Sequence, residues 1–159
     1  MELRDKLSPS LATLAAGIKD KRPILRAMGK ELESITRESF SQPGLRPAPW
    51  APKWDGSAAT LRKNQLLHRS IAITELTNDH VTVSSDRLYA AIHQFGGEIR
   101  AKGKALRFAL GGKMVFAKKV VMPPRPFFPF INGKLTPAAA MKIQRVGEEK
   151  IASLTKPKS

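Results

Sequence analysis

Eight of the chain's twelve prolines fall in two short stretches, and that placement limits the fold more than any other feature. Pro43, Pro47, Pro49 and Pro52 lie within ten residues, around Gly44, Trp50 and Trp54; Pro123, Pro124, Pro126 and Pro129 lie within seven, interleaved with Phe127, Phe128 and Phe130. Proline has no N–H, a fixed φ and a bias toward extended geometry in the residue before it, so neither stretch can be helix interior or central strand. The first must be an ordered loop. The second must end a strand and continue along an extended path. A loop with two tryptophans either pins itself to the body by burying the rings or presents them to a partner, and Trp50 and Trp54 are the candidate anchors.

Regular elements fill the space around these breaks. Ser8-Pro9 is a good N-cap and N1 pair, and Leu11, Leu14, Ala15 and Ile18 follow on one helical stripe. A second helix starts near Pro23 and runs toward Phe40, with Leu25, Met28, Leu32 and Ile35 spaced for a core or subunit contact. Residues 57–70 read as a short helix or turn feeding a strand. Ile71 and Ile73, then Val81 and Val83, alternate with polar residues on either side of Thr77-Asn78-Asp79-His80, which predicts a hairpin. A helical turn through Leu88, Tyr89, Ile92 and Phe95 is stopped by Gly96-Gly97. A second hairpin follows, with Leu106, Phe108 and Leu110 going out, Gly111-Gly112-Lys113 turning, and 114–121 returning. Thr136-Pro137 caps a last helix over about 138–154, and 155–159 is expected to be a loose basic tail. The expected class is α+β: N-terminal helices, a small antiparallel sheet of two hairpins and a C-terminal helix, in one domain over 1–159.

Charge narrows the partners. The chain has 28 Lys and Arg against 13 Asp and Glu, and the surplus of +15 is uneven: +4 over residues 1–80 and +11 over 81–159. The second hairpin and its approach carry Arg100, Lys102, Lys104, Arg107, Lys113, Lys118 and Lys119. Such a run is either a solvated face or a surface for a polyanion or an acidic protein. With no exposed aromatic row and no helix-turn-helix or zinc-finger pattern, any nucleic-acid contact would be to phosphate rather than to sequence.

Catalytic chemistry finds little support. Zero cysteines remove thiolate nucleophiles, thiolate metal sites and disulfides together. His68, His80 and His93 are not in ligand spacing, no acid pair has a defined pocket, and the double glycines lack the following Gly-Lys-Ser/Thr of a phosphate loop. The expectation is therefore no catalytic residue, no metal, no cofactor and no small-molecule substrate. His93 reads most simply as a ring nitrogen bonded to a nearby carbonyl that fixes its turn. No apolar run approaches the roughly 20 residues needed to cross a bilayer, and MELRDKLSPS has no apolar signal core, so a cytosolic protein that meets no membrane is expected.

Several landmarks combine in one order: a helix ending in Arg37 to Phe40 as R-x-x-F, the loop Gln42-Pro43-Gly44 to Trp50, Leu66-Leu67 before Ser70-Ile71, then YAAIHQFG over 89–96, then Pro124-Arg125-Pro126-Phe127. This order, over about residues 24–131, resembles the phage virion morphogenesis family, the tail completion proteins of contractile-tailed phages. Met122-Pro123-Pro124 departs slightly from the usual pattern before the arginine, and residues from 138 onward match no motif.

The resemblance implies a structural protein that completes the tail and helps join it to the DNA-filled head, as a homohexameric ring. Its implied partners are other copies of itself, the tail tube and sheath proteins, the head–tail connector or neck proteins and the DNA passing through the channel. Its implied place is the tail or neck of a virion assembled in the host cytoplasm. Tyr89, His93, Gln94, Phe95, Arg125, Pro126, Phe127 and Phe128 are then the expected subunit-contact residues, with Arg125 held between prolines as a stiff arm; Phe127 packing in its own core is the alternative. The basic hairpin is expected to face the DNA or an acidic neighbouring ring. A small DNA-binding protein without sequence specificity is the second reading.

Overall fold

The computed structural model describes residues 2–6, as backbone, and 8–156. In chain order the elements are β1 (Glu2–Lys6), α1 (Pro9–Leu14), α2 (Arg22–Glu38), α3 (Leu66–Arg69), β2 (Ile71–Leu76), β3 (His80–Ser85), α4 (Ala90–Phe95), β4 (Gly97–Arg100), β5 (Leu106–Leu110), β6 (Lys113–Ala117), β7 (Lys119–Met122), β8 (Phe130–Ile131), β9 (Lys134–Leu135) and α5 (Pro137–Thr155). Pro43–Leu45 forms a single 3-10 turn at the start of the proline-rich loop. The α+β class stands, with antiparallel pairing throughout.

α2 is the centre of the molecule. Its buried positions include the expected Leu25, Met28, Leu32 and Ile35, but also Ile24, Gly29 and Thr36, because it packs on the sheet with one side and on α5 with another. Gly29 permits the first approach: a Cβ there would sit 2.5 Å from Val81 Cγ2. Gly147 in α5 does the same for α1, where a Cβ would meet Leu11 Cδ1 at 2.9 Å. The one acid drawn inside among the described residues, Glu33, is held between Lys30 at 3.0 Å and Arg37 at 2.9 Å, and Arg37 also donates to the Ile71 carbonyl. A buried carboxylate without such partners would be expelled or neutralised.

The hairpins lie in separate sheets. β2 and β3 pair as expected and gain β1 on the far edge of β3, in the order β1-β3-β2, with Glu2 opposite Ser84 and Lys6 opposite His80. β1 was not expected from the sequence, since its five residues show no alternating apolar run. Thr77 Oγ1 accepts from the N–H groups of Asp79 and His80 to shape the β2–β3 turn, and Asn78 ties that turn to the α1–α2 connection through Lys19 O and Lys21 N–H.

Both outer helices are capped by side chains as expected: Ser8 Oγ accepts from Leu11 N–H and Thr136 Oγ1 from Ala139 N–H. α5 reaches Thr155, so the tail expected at 155–159 begins inside the helix, and 157–159 lie outside the described residues. One further hairpin, β8–β9, turns through Asn132-Gly133, both at positive φ. That Asn-Gly pair is a strong hairpin signal that the sequence reading passed over.

Candidate functional site

The two proline-rich stretches are fastened to each other. Arg125 donates from Nε to Ala51 O and from Nη2 to Pro52 O, both at 2.7 Å, and Trp50 Nε1 donates back to Pro126 O at 2.7 Å. Arg46 lies 3.7 Å over the Trp50 ring and donates to Ser39 O and Phe40 O, which joins the loop to the end of α2. Since most of each stretch lies outside helix and ladder, its backbone carbonyls need side-chain donors when buried, and these arginines and the tryptophan supply them.

Gln94 completes the arrangement from α4. Its Oε1 accepts from both Phe127 N–H and Phe128 N–H at 2.9 Å, and its Nε2 donates to Phe128 O at 3.3 Å. Ser39 Oγ lies 2.8 Å from Phe127 O and 2.8 Å from Thr36 O, so its single proton is shared between two carbonyls. Phe127 and Phe128 are fully buried, their rings tilted against each other with centroids 5.0 Å apart, and the Phe127 ring lies 5.3 Å from Phe40. The side chains of Gln94, Arg125, Phe127 and Phe128 are thus buried and packed or hydrogen-bonded within the chain, which accords with the alternative in which Phe127 packs in its own core.

The connection from α4 into the second stretch is equally close. Arg125 N–H donates to His93 O at 2.6 Å, and Gly96, at φ +69°, sits where a Cβ would meet Met122 O and Pro124 N at 2.8 Å. The His93 expectation is corrected here, because its main-chain carbonyl fixes the turn while the ring Nδ1 is buried with no hydrogen-bond partner. Burial first, and then the nearby Arg125 charge, hold the His93 pKa below the ordinary imidazole value; His68 is lowered by burial and by Arg62, Arg37 and Arg69. Both rings are neutral at physiological pH.

The other expected contact residues lie at the surface. Tyr89 is partly exposed with its ring edge-on to His93, Pro126 is half-buried, and Phe95 is 60% exposed near Phe130. Trp50 is half-buried and acts as the anchor proper, whereas Trp54 is 45% exposed and packs edge-on against Phe108 of β5, 5.2 Å away. The helical turn is shorter than expected. It begins at Ala90, and Leu88 precedes it in the loop from β3 with its side chain wholly exposed.

The basic hairpin is a two-stage ribbon. β4 pairs with β7 at its base, Ala101 N–H reaches Lys118 O, and β5 pairs with β6 toward the tip, so the expected single return over 114–121 breaks at Lys118. Glu98 at the base engages Arg100 and, at 3.2 Å, Lys119. Lys102, Lys104, Arg107, Lys113 and Lys118 have no ion-pair partner among the described residues, so the unneutralised charge lies toward the tip. One face of the ribbon, with Ile99, Leu106, Phe108 and Leu110, forms with Trp54 an open apolar groove of about 440 Å³. Among the described residues no group of three or more His, Asp or Glu side chains could hold a metal ion, and no helix is long and apolar enough to cross a membrane.

The model of the phage virion morphogenesis family matches residues 4–151. The chain belongs to that family. A relative, the Mu-like prophage FluMu G protein 2 of Haemophilus influenzae, is 31% identical over 122 residues, which covers 77% of this chain and 75% of the relative. No solved structure matches. As a virion morphogenesis protein the chain has a structural role in building the phage particle, and the matched span includes both proline-rich stretches, α4 and the whole basic ribbon.

Proposed function

We propose that this protein is the tail-completing subunit of its phage, that it works as a closed ring between the finished tail and the head connector, and that its basic ribbon contacts a polyanion there. The observation that carries the reading is the distribution of charge on a rigid base. Five free cations stand on the outer ribbon, the ribbon is fixed to the body through Trp54, and the body beneath is tied together by the Arg125, Trp50 and Gln94 hydrogen bonds. Identical subunits in head-to-tail contact close into a ring when the rotation allows it. A ring of subunits each carrying +15 repels itself, so a stable ring needs counter-charge nearby, and DNA in the channel or an acidic adjoining ring supplies it.

Complementation of a phage lacking this protein tests the proposal. Reversal of Lys102, Lys104, Arg107, Lys113 and Lys118 to glutamate should leave a folded subunit and give separate full heads and tails in electron micrographs. Normal yield of joined particles would end the proposal for the ribbon. A filter-binding titration with double-stranded DNA distinguishes the second reading. Tight binding by the isolated protein, with affinity falling steeply as salt rises, would favour a free-standing DNA-binding protein over a ring component.

A further inference from the structure

Leu88 is an unusual residue to leave in water. Its side chain is wholly exposed on a loop whose neighbours on both sides, β3 and α4, are ordered, and the partly exposed Tyr89 ring stands beside it. Asp86 and Arg87 precede it, 3.0 Å from each other, so the tip reads acid, base, leucine, tyrosine. Elsewhere on the same chain lies the open groove between Trp54 and the ribbon, with an apolar floor that includes Leu106, Phe108 and Leu110 and with Lys53 and Asp55 beside Trp54. Scattered single apolar residues on a surface are ordinary, but a projecting apolar tip and an apolar groove with matching charges form a complementary pair.

We infer that the Leu88–Tyr89 tip of one copy seats in the Trp54–ribbon groove of the next, and that this is the repeating contact of the ring. The inference rests on the ring reading and supplies its surfaces. Charge selects a second copy as the occupant: Asp86 meets the rim cation Lys53 and Arg87 meets Asp55, so each charge of the tip pair faces one of opposite sign. Tip and groove are different patches of one subunit, so the contact is heterologous and repeats from copy to copy, which is what a ring requires. Filling the groove also removes the exposed faces of Trp54 and Leu88 from water.

Two single-sided variants test this. Leu88→Glu spoils only the tip and Leu110→Glu only the groove; circular dichroism and thermal melting confirm that each is folded, with Leu88→Ser and Leu110→Ser as milder substitutes. In sedimentation velocity the wild type should form closed oligomers and each variant alone should be monomeric. An equimolar mixture of the two should form dimers and nothing larger, because one good tip still finds one good groove. If Leu88→Glu assembles like the wild type, the inference fails while the ring reading stands. If the wild type is monomeric at every concentration and on particles, the ring reading falls and takes the inference with it. If Leu88→Glu forms rings but Leu110→Glu abolishes head joining in complementation, the groove takes another virion protein and the second copy is excluded.

Discussion

The Arg125–Phe128 segment and the ribbon that precedes it are adjacent in the chain and opposite in construction. In the first, two buried phenylalanines and a buried arginine are surrounded by donors and acceptors from α2, α4 and the first proline-rich loop, so backbone and side chains are nearly all satisfied inside the subunit. In the second, two-stranded pairing is the main internal support; the faces are open, the charges are unpaired toward the tip, and Phe116 and Val121 are more than 60% exposed. A two-stranded ribbon is marginal by itself in water. Its persistence here depends on Trp54 at one face and on the β4–β7 base that Gly96 holds against Met122 and Pro124. The contrast separates a segment satisfied within the chain from a ribbon whose faces and charges are left open.

Changes in the first region should cost stability, and the largest loss is expected from Phe127→Ala. It removes a fully buried ring from the centre of the aromatic cluster and should destabilise by about 3–5 kcal/mol, read as a lowered midpoint in urea unfolding with an unchanged slope. A midpoint within error of the wild type would mean that the segment is not core at all. Next comes Gln94→Ala, which strands the buried N–H groups of Phe127 and Phe128; a total loss of roughly 1–3 kcal/mol is expected.

A pH scan sharpens the same comparison. His93 and His68 have folded-state pKa values below their unfolded value, so the unfolded chain binds protons more readily. Stability should therefore be full above the unfolded value near 6.5, fall as pH drops below it, and level off beneath the folded values. His93→Gln should reduce that slope, measured as Tm against pH; an unchanged slope would show that His93 protonates freely in the fold. The smallest effect on stability is expected in the ribbon, where Lys102, Lys104, Lys113 and Lys118 changed singly to glutamate should each shift unfolding by no more than about 0.5 kcal/mol. A larger loss would mean that the ribbon's charges are built into the subunit.

Much of this division was legible in the residues. The helix caps, the Gly96 stop, the β2–β3 turn and the ribbon's alternation are local signals, and each formed where its chemistry required. The residues left two readings of 125–128 open, an arm or a core segment, for an identifiable reason: Pro-Arg-Pro-Phe-Phe specifies an extended backbone, but which side of it meets protein depends on Gln94, Ser39 and Trp50, from 33, 88 and 76 positions away in sequence. Leu88 was misplaced because helical spacing with Ile92 and Phe95 is equally compatible with a loop residue just before the helix. β1 was missed because an edge strand needs only a partner's open N–H and C=O groups, which its own side chains do not announce.

The sequence by itself determined that two proline-rich stretches would stand outside α-helix and central strand, that a basic hairpin would lie shortly before the second, and that no thiolate site could form, since the chain has no cysteine. Proline's missing N–H and fixed φ, and the alternation of residues across a strand, are properties of single residues and short windows, so they survive in any context. Only the tertiary structure decided that the two stretches bind each other through Arg125 and Trp50, and that Leu88 rather than Phe127 faces outward. Those outcomes depend on which distant carbonyls, amides and rings come within a few ångströms, and no local pattern carries that information.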